Sequence, residues 1–271
     1  MKSAEQKEHE WKLKRCGKIT ASVLPDLMTS GRAKDDLFGM KALAVMYITR
    51  YERRTKTLRE QQSNKNFDWG HDNEPLAVEW VRNQLPFSTI KSCTTDFPEI
   101  VFNEPFEGFG DSPDFYVYGV SGNLTAVGEI KCPVGQAKIE ELRFLKVIDE
   151  KTEYYWQFLG HFIGKPEVDT LYYVIYDGYQ NDGRILEMHR ADHAENIAKL
   201  AERIKLADTV IETSIKLDKD FKECLPIAQQ ILPIRLEIEE LKPRAKGNVP
   251  VQNQITRLKK QIKKLYINKA A

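Results

Sequence analysis

The stretch Leu124-Thr-Ala-Val-Gly-Glu-Ile-Lys131 constrains this chain more than any other. It reads as a strand, and it ends on a glutamate and a lysine two residues apart. Successive side chains of a strand point to opposite faces, so Glu129 and Lys131 share one face and Ile130 takes the other. Charges on a strand ordinarily mark the wet face of an antiparallel sheet. The flank Val127-Gly-Glu-Ile-Lys-Cys-Pro133 is instead apolar enough for a buried strand, where charged groups are rare unless paired. Pro133 cannot join a ladder, so the strand stops just past the lysine, where a strand end opens a site.

Upstream lies Gly108-Phe-Gly-Asp-Ser-Pro-Asp114, a glycine-rich turn that carries two aspartates. Two carboxylates and a lysine at one spot are a minimal set for metal-assisted attack of water on a phosphodiester. Carboxylates hold hard divalent cations, and the backbone carbonyl of Ile130 lies between the two charged side chains as a further oxygen ligand. The cation acidifies its water and stabilises the developing charge, while the lysine positions that water. Asp111 and Asp114 compete for the first carboxylate position. Gly108 and Gly110 are expected to let the backbone approach metal or DNA closely.

The rest of the chain alternates between helical and strand patterns. Thr20 or Ser22 reads as an N-cap for residues 23–28, with Pro25 tolerated in the first turn. Apolar periodicity predicts helices over 38–53 and 71–84, separated by a polar loop over 53–66. Strands dominate 88–131. Helices return at 140–147 and 153–164. Strands follow at 169–176 and 184–190, joined by turn formers. Asp192 is expected to cap a long helix ending near residue 215. Beyond residue 217 the pattern changes to two helices around the breaker Pro243-Arg-Ala-Lys-Gly-Asn-Val-Pro250. Ile227, Ile231, Ile234, Ile238 and Leu241 form one apolar stripe, and Ile255, Leu258, Ile262 and Leu265 the other. The expected organisation is an α/β domain over 1–216 and a helical hairpin over 217–271. From Val251 to Ala271 there are six basic residues and no acidic one, a solvated face or a phosphate-contacting tail.

With 41 basic and 40 acidic residues, net charge says nothing for or against a nucleic-acid partner; its distribution matters more. Cys16, Cys93, Cys132 and Cys224 are far apart, which disfavours a zinc finger, an iron–sulfur cluster and a disulfide framework. Reduced thiols, no secretory signal at the N-terminus and no apolar run of membrane-spanning length give a cytoplasmic, non-membrane expectation.

Four segments together resemble one family. Arg15-Cys-Gly-Lys-Ile-Thr-Ala-Ser22 is similar to the R-x-G-x-I-T-A-S element of the lambda-exonuclease (YqaJ-type) viral recombinases. Trp69-Gly-His-Asp-Asn-Glu-Pro-Leu-Ala77 resembles their G-x-x-x-E-x-x-A helix. Ser112-Pro-Asp114 with Glu129-Ile-Lys-Cys-Pro133 resembles their S-P-D…E-[IL]-K-C-P core, and Tyr154-Tyr-Trp-Gln157 their Y-x-x-Q helix. Order and spacing agree from about Trp11 to Arg190; the C-terminal hairpin lies outside the resemblance.

The resemblance implies a PD-(D/E)XK, restriction-endonuclease-like core, a central mixed sheet flanked by helices. It implies a 5′→3′ exonuclease on duplex DNA ends, using Mg²⁺ (or Mn²⁺), with two ions per site. Its setting would be a phage or prophage protein that supplies 3′ single strands to an annealing protein, and the family's ring trimer is the implied oligomer. Asp114 and Glu129 would be metal ligands, Lys131 would serve the water, and Glu74 would be a helical carboxylate near the metals. Arg15, Ser22 and Ser112 match the family's 5′-phosphate pocket, with Gln157 adjoining and Thr20 adding a hydroxyl where a helix begins. Asp114 is preferred to Asp111 because it follows Ser-Pro. His71 shares a helix face with Glu74 as a weaker contact. His161 shares a face with Gln157 and reads as a core or supporting histidine rather than a ligand. The aromatic run Tyr154, Tyr155, Trp156, Phe158 reads as core. Competing readings are a RecB-like nuclease or endonuclease on the same core, and a catalytically silent DNA-binding module.

Overall fold

The computed structural model describes residues 4–33, 36–58, 65–96 and 101–270. Helix α1 (Ala4–Arg15) leads to a short strand β1 (Ile19–Thr20), a 3-10 turn (Ala21–Val23) and α2 (Leu24–Leu27). Helices α3 (Met40–Thr55) and α4 (Lys65–Gln84) precede strands β2 (Thr89–Ser92), β3 (Phe109–Gly110), β4 (Phe115–Tyr118) and β5 (Leu124–Lys131). Then come α5 (Gln136–Arg143), α6 (Tyr155–Gly164), β6 (Thr170–Asp177) and β7 (Asp182–His189). Three long helices finish the chain: α7 (Ala194–Leu217), α8 (Phe221–Leu241) and α9 (Val249–Ala270).

The fold is α/β. Five strands form one mixed sheet in the order β2-β4-β5-β6-β7, while β1 and β3 pair separately in parallel. β5 and β6 are parallel, and β2–β4, β4–β5 and β6–β7 are antiparallel. A parallel pair needs a crossover, which α5 and α6 supply. β5 therefore sits in the middle of the sheet, hydrogen-bonded on both edges.

The period of two sorts its side chains between two cores. Val127 of β5 and Leu171, Tyr173 and Ile175 of β6 bury against Phe158 and Phe162 of α6 and Ile204 and Ile211 of α7. Ala126 and Ile130 of β5 and Val174 and Tyr176 of β6 bury against Ala77, Val78 and Val81 of α4. Glu129 and Lys131 thus face the α6 side, and Ile130 faces α4.

α7, α8 and α9 pack in sequence. Phe221, Cys224 and Ala228 at the start of α8 belong to the main core, whereas Ile238, Leu241, Val251 and Leu258 close a separate apolar seam between α8 and α9. The hairpin is rooted in the α/β core and is not a free appendage. All four cysteines are free thiols. Among the described residues no helix is long and apolar enough to cross a membrane.

Several local expectations are corrected. Helix α4 starts at Lys65, earlier than the periodicity predicts. Its polar first turns are held by tertiary contact, with Trp69 against Tyr179 at 4.5 Å between centroids. The expected loop over 53–66 is correspondingly shorter, and its residues 59–64 lie outside the described set. Asp192 lies in a 3-10 turn (Arg190–His193), and His193 takes the N-cap position of α7. Neither Thr20 nor Ser22 caps a helix with its side chain, because both hydroxyls turn toward Arg15.

Candidate functional site

β5 delivers Glu129 and Lys131 to the same spot, and Lys131 Nζ donates to Glu129 Oε1 at 2.6 Å. Glu129 is 3% exposed, so its charge needs partners. Helix α6 provides them at helical spacing. Gln157 Nε2 donates to Glu129 Oε1 at 2.5 Å, and His161 Nε2 lies 2.9 Å from Glu129 Oε2. This last contact is off the line of a good hydrogen bond. Behind it, His161 Nδ1 meets Asp111 Oδ1 at 2.7 Å, both residues fully buried. The imidazole is clasped between two carboxylates.

Asp114 reaches the site from the turn before β4. Its Oδ2 accepts from the Ile130 N–H at 2.6 Å, and its own N–H donates to the Gly128 carbonyl at 3.0 Å. Asp114, one residue before the first β4–β5 pair at Phe115, is therefore tied directly across to β5. Glu74 approaches from α4 and accepts a long hydrogen bond, 3.5 Å, from Thr94 Oγ1. Glu74, Asp114, Glu129 and Lys131 line one cavity of about 880 Å³, together with His71 and Tyr154. Ile130 lines it too.

The electrostatics of the cavity are unbalanced. Burial pushes the Glu129 carboxyl up, but Lys131 and His161 outweigh it and hold that carboxyl at about 2. Burial, then Glu129 and Glu74, push the Asp114 carboxyl well above the ordinary range, and Lys131 offsets only part of this. Burial and Glu129 likewise raise Glu74. Burial depresses Lys131 and His161, yet the neighbouring carboxylates win in both. Lys131 ends above its ordinary value through Glu129 and Asp114, and His161 reaches about 10 through Asp111 and Glu129. One carboxylate is satisfied; the charged forms of the other two are only partly offset, Asp114 by Lys131 and the Ile130 N–H, Glu74 by His71, Thr94 and Lys131.

The donor set is oxygen-rich: the carboxylates of Glu74, Asp114 and Glu129, which is the chemistry of a hard divalent cation. Mutual repulsion at Asp114 and Glu74 is what such a cation would relieve. As placed, no three His, Cys, Asp or Glu side chains among the described residues close around a single ion.

A second group gathers near the N-terminus. Arg15 Nη2 lies 3.4 Å from Thr20 Oγ1 and 3.3 Å from Ser22 Oγ, and its guanidinium covers the Trp11 ring at 4.1 Å. Gly17 makes the turn behind Arg15 with φ +71, a left-handed conformation that suits glycine. Buried Glu52 accepts the Gly17 N–H at 2.8 Å, and Arg53 Nε donates to the Gly17 carbonyl at 2.6 Å. α6 touches both groups. Gln157 and His161 reach Glu129, and Gly160 leaves no room for a Cβ against Leu24.

The structure sorts the expected residues. Asp114, not Asp111, enters the cavity; Asp111 stands behind it on His161. Its Oδ2 is buried against Gly164, without a hydrogen-bond partner among the described residues. Ser112 donates its hydroxyl to the Val101 carbonyl at 2.9 Å. Gly108 and Gly110 do not open space for a ligand: a Cβ on Gly108 would overlap Asp208, and one on Gly110 would overlap Phe102. Tyr155 and Phe158 are core, whereas Tyr154 lines the cavity with Lys131 Nζ 4.6 Å above its ring. The aromatic run in the sequence does not separate Tyr154 from its neighbours; the helix start at Tyr155 does. No protein-family model matches the chain, and no curated protein is significantly similar to it.

Proposed function

We propose that this chain is a metal-dependent nuclease with a PD-(D/E)XK core, of the lambda-exonuclease-like (YqaJ-type) viral recombinase kind, degrading linear duplex DNA 5′→3′. One observation carries the reading: Glu74, Asp114, Glu129 and Lys131 converge on one cavity at the end of a central strand. Asp114, Glu129 and the Ile130 carbonyl would hold Mg²⁺, or Mn²⁺ in its place, with Glu74 serving a second ion. Such a cation, when bound, acidifies water and stabilises charge developing on the phosphoryl oxygens.

The remaining roles belong to the chain. Gln157 and His161 fix Glu129, and His161 is itself fixed by Asp111. Lys131, held by Glu129 and Tyr154, orients the attacking water and places a positive charge beside the scissile phosphate. Arg15, with Thr20 and Ser22, offers a fork of charged donors and two hydroxyls to a terminal 5′-phosphate dianion. Grip on that phosphate sets both polarity and register of cleavage. The 3′ strand left behind would pass to a single-strand annealing protein, in a phage or prophage setting. A ring-shaped homo-oligomer around the duplex would make digestion processive.

Linear duplex with and without a 5′-phosphate, and a covalently closed circle, incubated in Mg²⁺, test this. Mononucleotides from the phosphorylated linear substrate with an intact circle are expected. Nicking of the circle would favour an endonuclease, and no cleavage in Mg²⁺ or Mn²⁺ would favour a binding module. Arg15→Ala is expected to lower the preference for phosphorylated ends roughly tenfold, the worth of one charged hydrogen bond. An unchanged preference would remove Arg15 from the pocket.

A further inference from the structure

Helix α9 carries Arg257, Lys259, Lys260, Lys263 and Lys264, all exposed, and no acidic residue. A basic helix face alone is commonly a solvated one. Here the packing does something more specific. The apolar seam of Ile238, Leu241, Val251 and Leu258 fixes α9 against α8 in one orientation. Lys259 and Lys263, one helical turn apart, then flank that seam. They meet Lys216 from α7 and Lys242 from the end of α8 around a concave space of about 560 Å³. Lysines from α7, from α9 and from the turn just past α8 thus meet in one cavity, where with Arg235 they outnumber its three carboxylates, Glu107, Glu212 and Glu239.

Glu107, Glu212 and Glu239 line the cavity too and reduce its positive charge without cancelling it. Glu212 lies 3.1 Å from Arg235, Glu107 lies 3.9 Å from Arg235, and Glu239 lies 3.4 Å from Lys205. Tyr266 closes one side, with Lys216 Nζ 4.9 Å over its ring. Lysines on flexible stems around an aromatic ring match a phosphate backbone rather than a small, rigid carboxylate ligand, for which arginine forks are better suited.

We propose that the α7–α9 cavity is a second nucleic-acid site, one that binds phosphate backbone through Lys216, Lys242, Lys259 and Lys263. It rests on the nuclease reading in that both sites would serve the same polymer. The hairpin lies outside the segments that carry the family resemblance, so this grip would be an addition to the cutting core.

Salt dependence of binding tests it. The full chain carrying Lys131→Ala, in EDTA, is titrated with a short fluorescein-labelled duplex and with the matching single strand, by anisotropy, over a range of NaCl. Lys242→Gln/Lys259→Gln/Lys263→Gln in the same background is expected to weaken binding of at least one probe roughly tenfold or more. It should also flatten the log–log salt slope by about 0.9 per lost duplex contact, or about 0.7 per single-strand contact. The probe that responds identifies which form the cavity takes. Lys259→Arg/Lys263→Arg keeps the charge and should keep the slope, which separates lost charge from lost structure. If the starting protein binds but neither slope moves in the glutamine variant, the cavity is not a nucleic-acid site, whether or not the chain cleaves DNA. A slope change in a chain that proves unable to cleave would leave this proposal standing and sink the nuclease reading. No binding of either probe by the starting protein would overturn it.

Discussion

Two buried charge clusters in this molecule are built from similar side chains and balanced in opposite ways. In the first, Asp208 of α7 is 3% exposed and each of its oxygens has its own arginine. Arg53 Nη2 donates to Oδ1 at 2.6 Å and Arg235 Nη2 to Oδ2 at 3.0 Å. Arg53 continues to the Gly17 carbonyl, and Arg235 to Thr209 and Glu212. Acid and base are matched, and the network joins the Arg15 turn, α3, α7 and α8. In the second, around Glu129, one buried carboxylate is matched while Asp114 and Glu74 are left in surplus beside it. Matched buried charge fixes architecture, since breaking such a pair leaves an uncompensated ion. Surplus buried charge works against stability, a cost that the proposed cation would offset.

The comparison is sharpest where each cluster loses one residue. Lys131→Ala removes the lysine that is paired with Glu129 in the surplus cluster. Cleavage of phosphorylated linear duplex is expected to fall by about 10²–10⁴ in single-turnover rate, with DNA binding retained. Activity at the starting level would show that Lys131 has been assigned wrongly. Asp208→Ala in the matched cluster leaves Arg53 and Arg235 facing an empty space. Urea denaturation should show a loss of about 3–5 kcal/mol. A loss under roughly 1 kcal/mol, the range of exposed pairs, would mean the cluster is not structural.

Asp114→Asn should separate the two kinds of cluster by sign. The amide keeps an oxygen for the Ile130 N–H and removes a charge from the surplus. In metal-free buffer the variant is expected to be more stable by about 1 kcal/mol while losing nuclease activity, the trade-off of a site built for function. A destabilised variant would mean that Asp114 is matched after all.

The two clusters were not equally legible in the sequence. Glu129 and Lys131 are two residues apart on one strand, so the period of two places them together, and Pro133 marks the strand end. Gln157 and His161 are one helical turn apart, so their shared face also follows from spacing, though not what it faces. Asp208 meets Arg53 across 155 residues and Arg235 across 27, and nothing local signals either. Gly108 shows the same limit. Its φ of +86 suits glycine, as a turn reading expects, but the carboxylate that fills the space beside it comes from α7. The hairpin stripes were legible because both are local and periodic. The rooting of Phe221 and Cys224 in the main core was not.

His161 offers the finest test, because it is the one cation that the surplus cluster shares with a buried acid outside the cavity. Its pKa is raised from 6.5 to about 10, since Asp111 and Glu129 outweigh the burial that opposes its charge. Through that window the folded state holds a proton that the unfolded state has released. The stability it contributes is therefore complete below pH 6.5 and is lost as pH rises through about 10. Lysines, tyrosines and cysteines also titrate at high pH, so the useful quantity is a difference. Urea stability of the starting protein minus that of His161→Gln, in metal-free buffer, should decline steadily across this range, because glutamine donates a hydrogen bond but does not titrate. A flat difference would mean that the imidazole is neutral. Glu129 would then be held by Lys131 and Gln157, and Asp111 would be a buried carboxylate without a cation, leaving the surplus larger than the contacts around His161 imply.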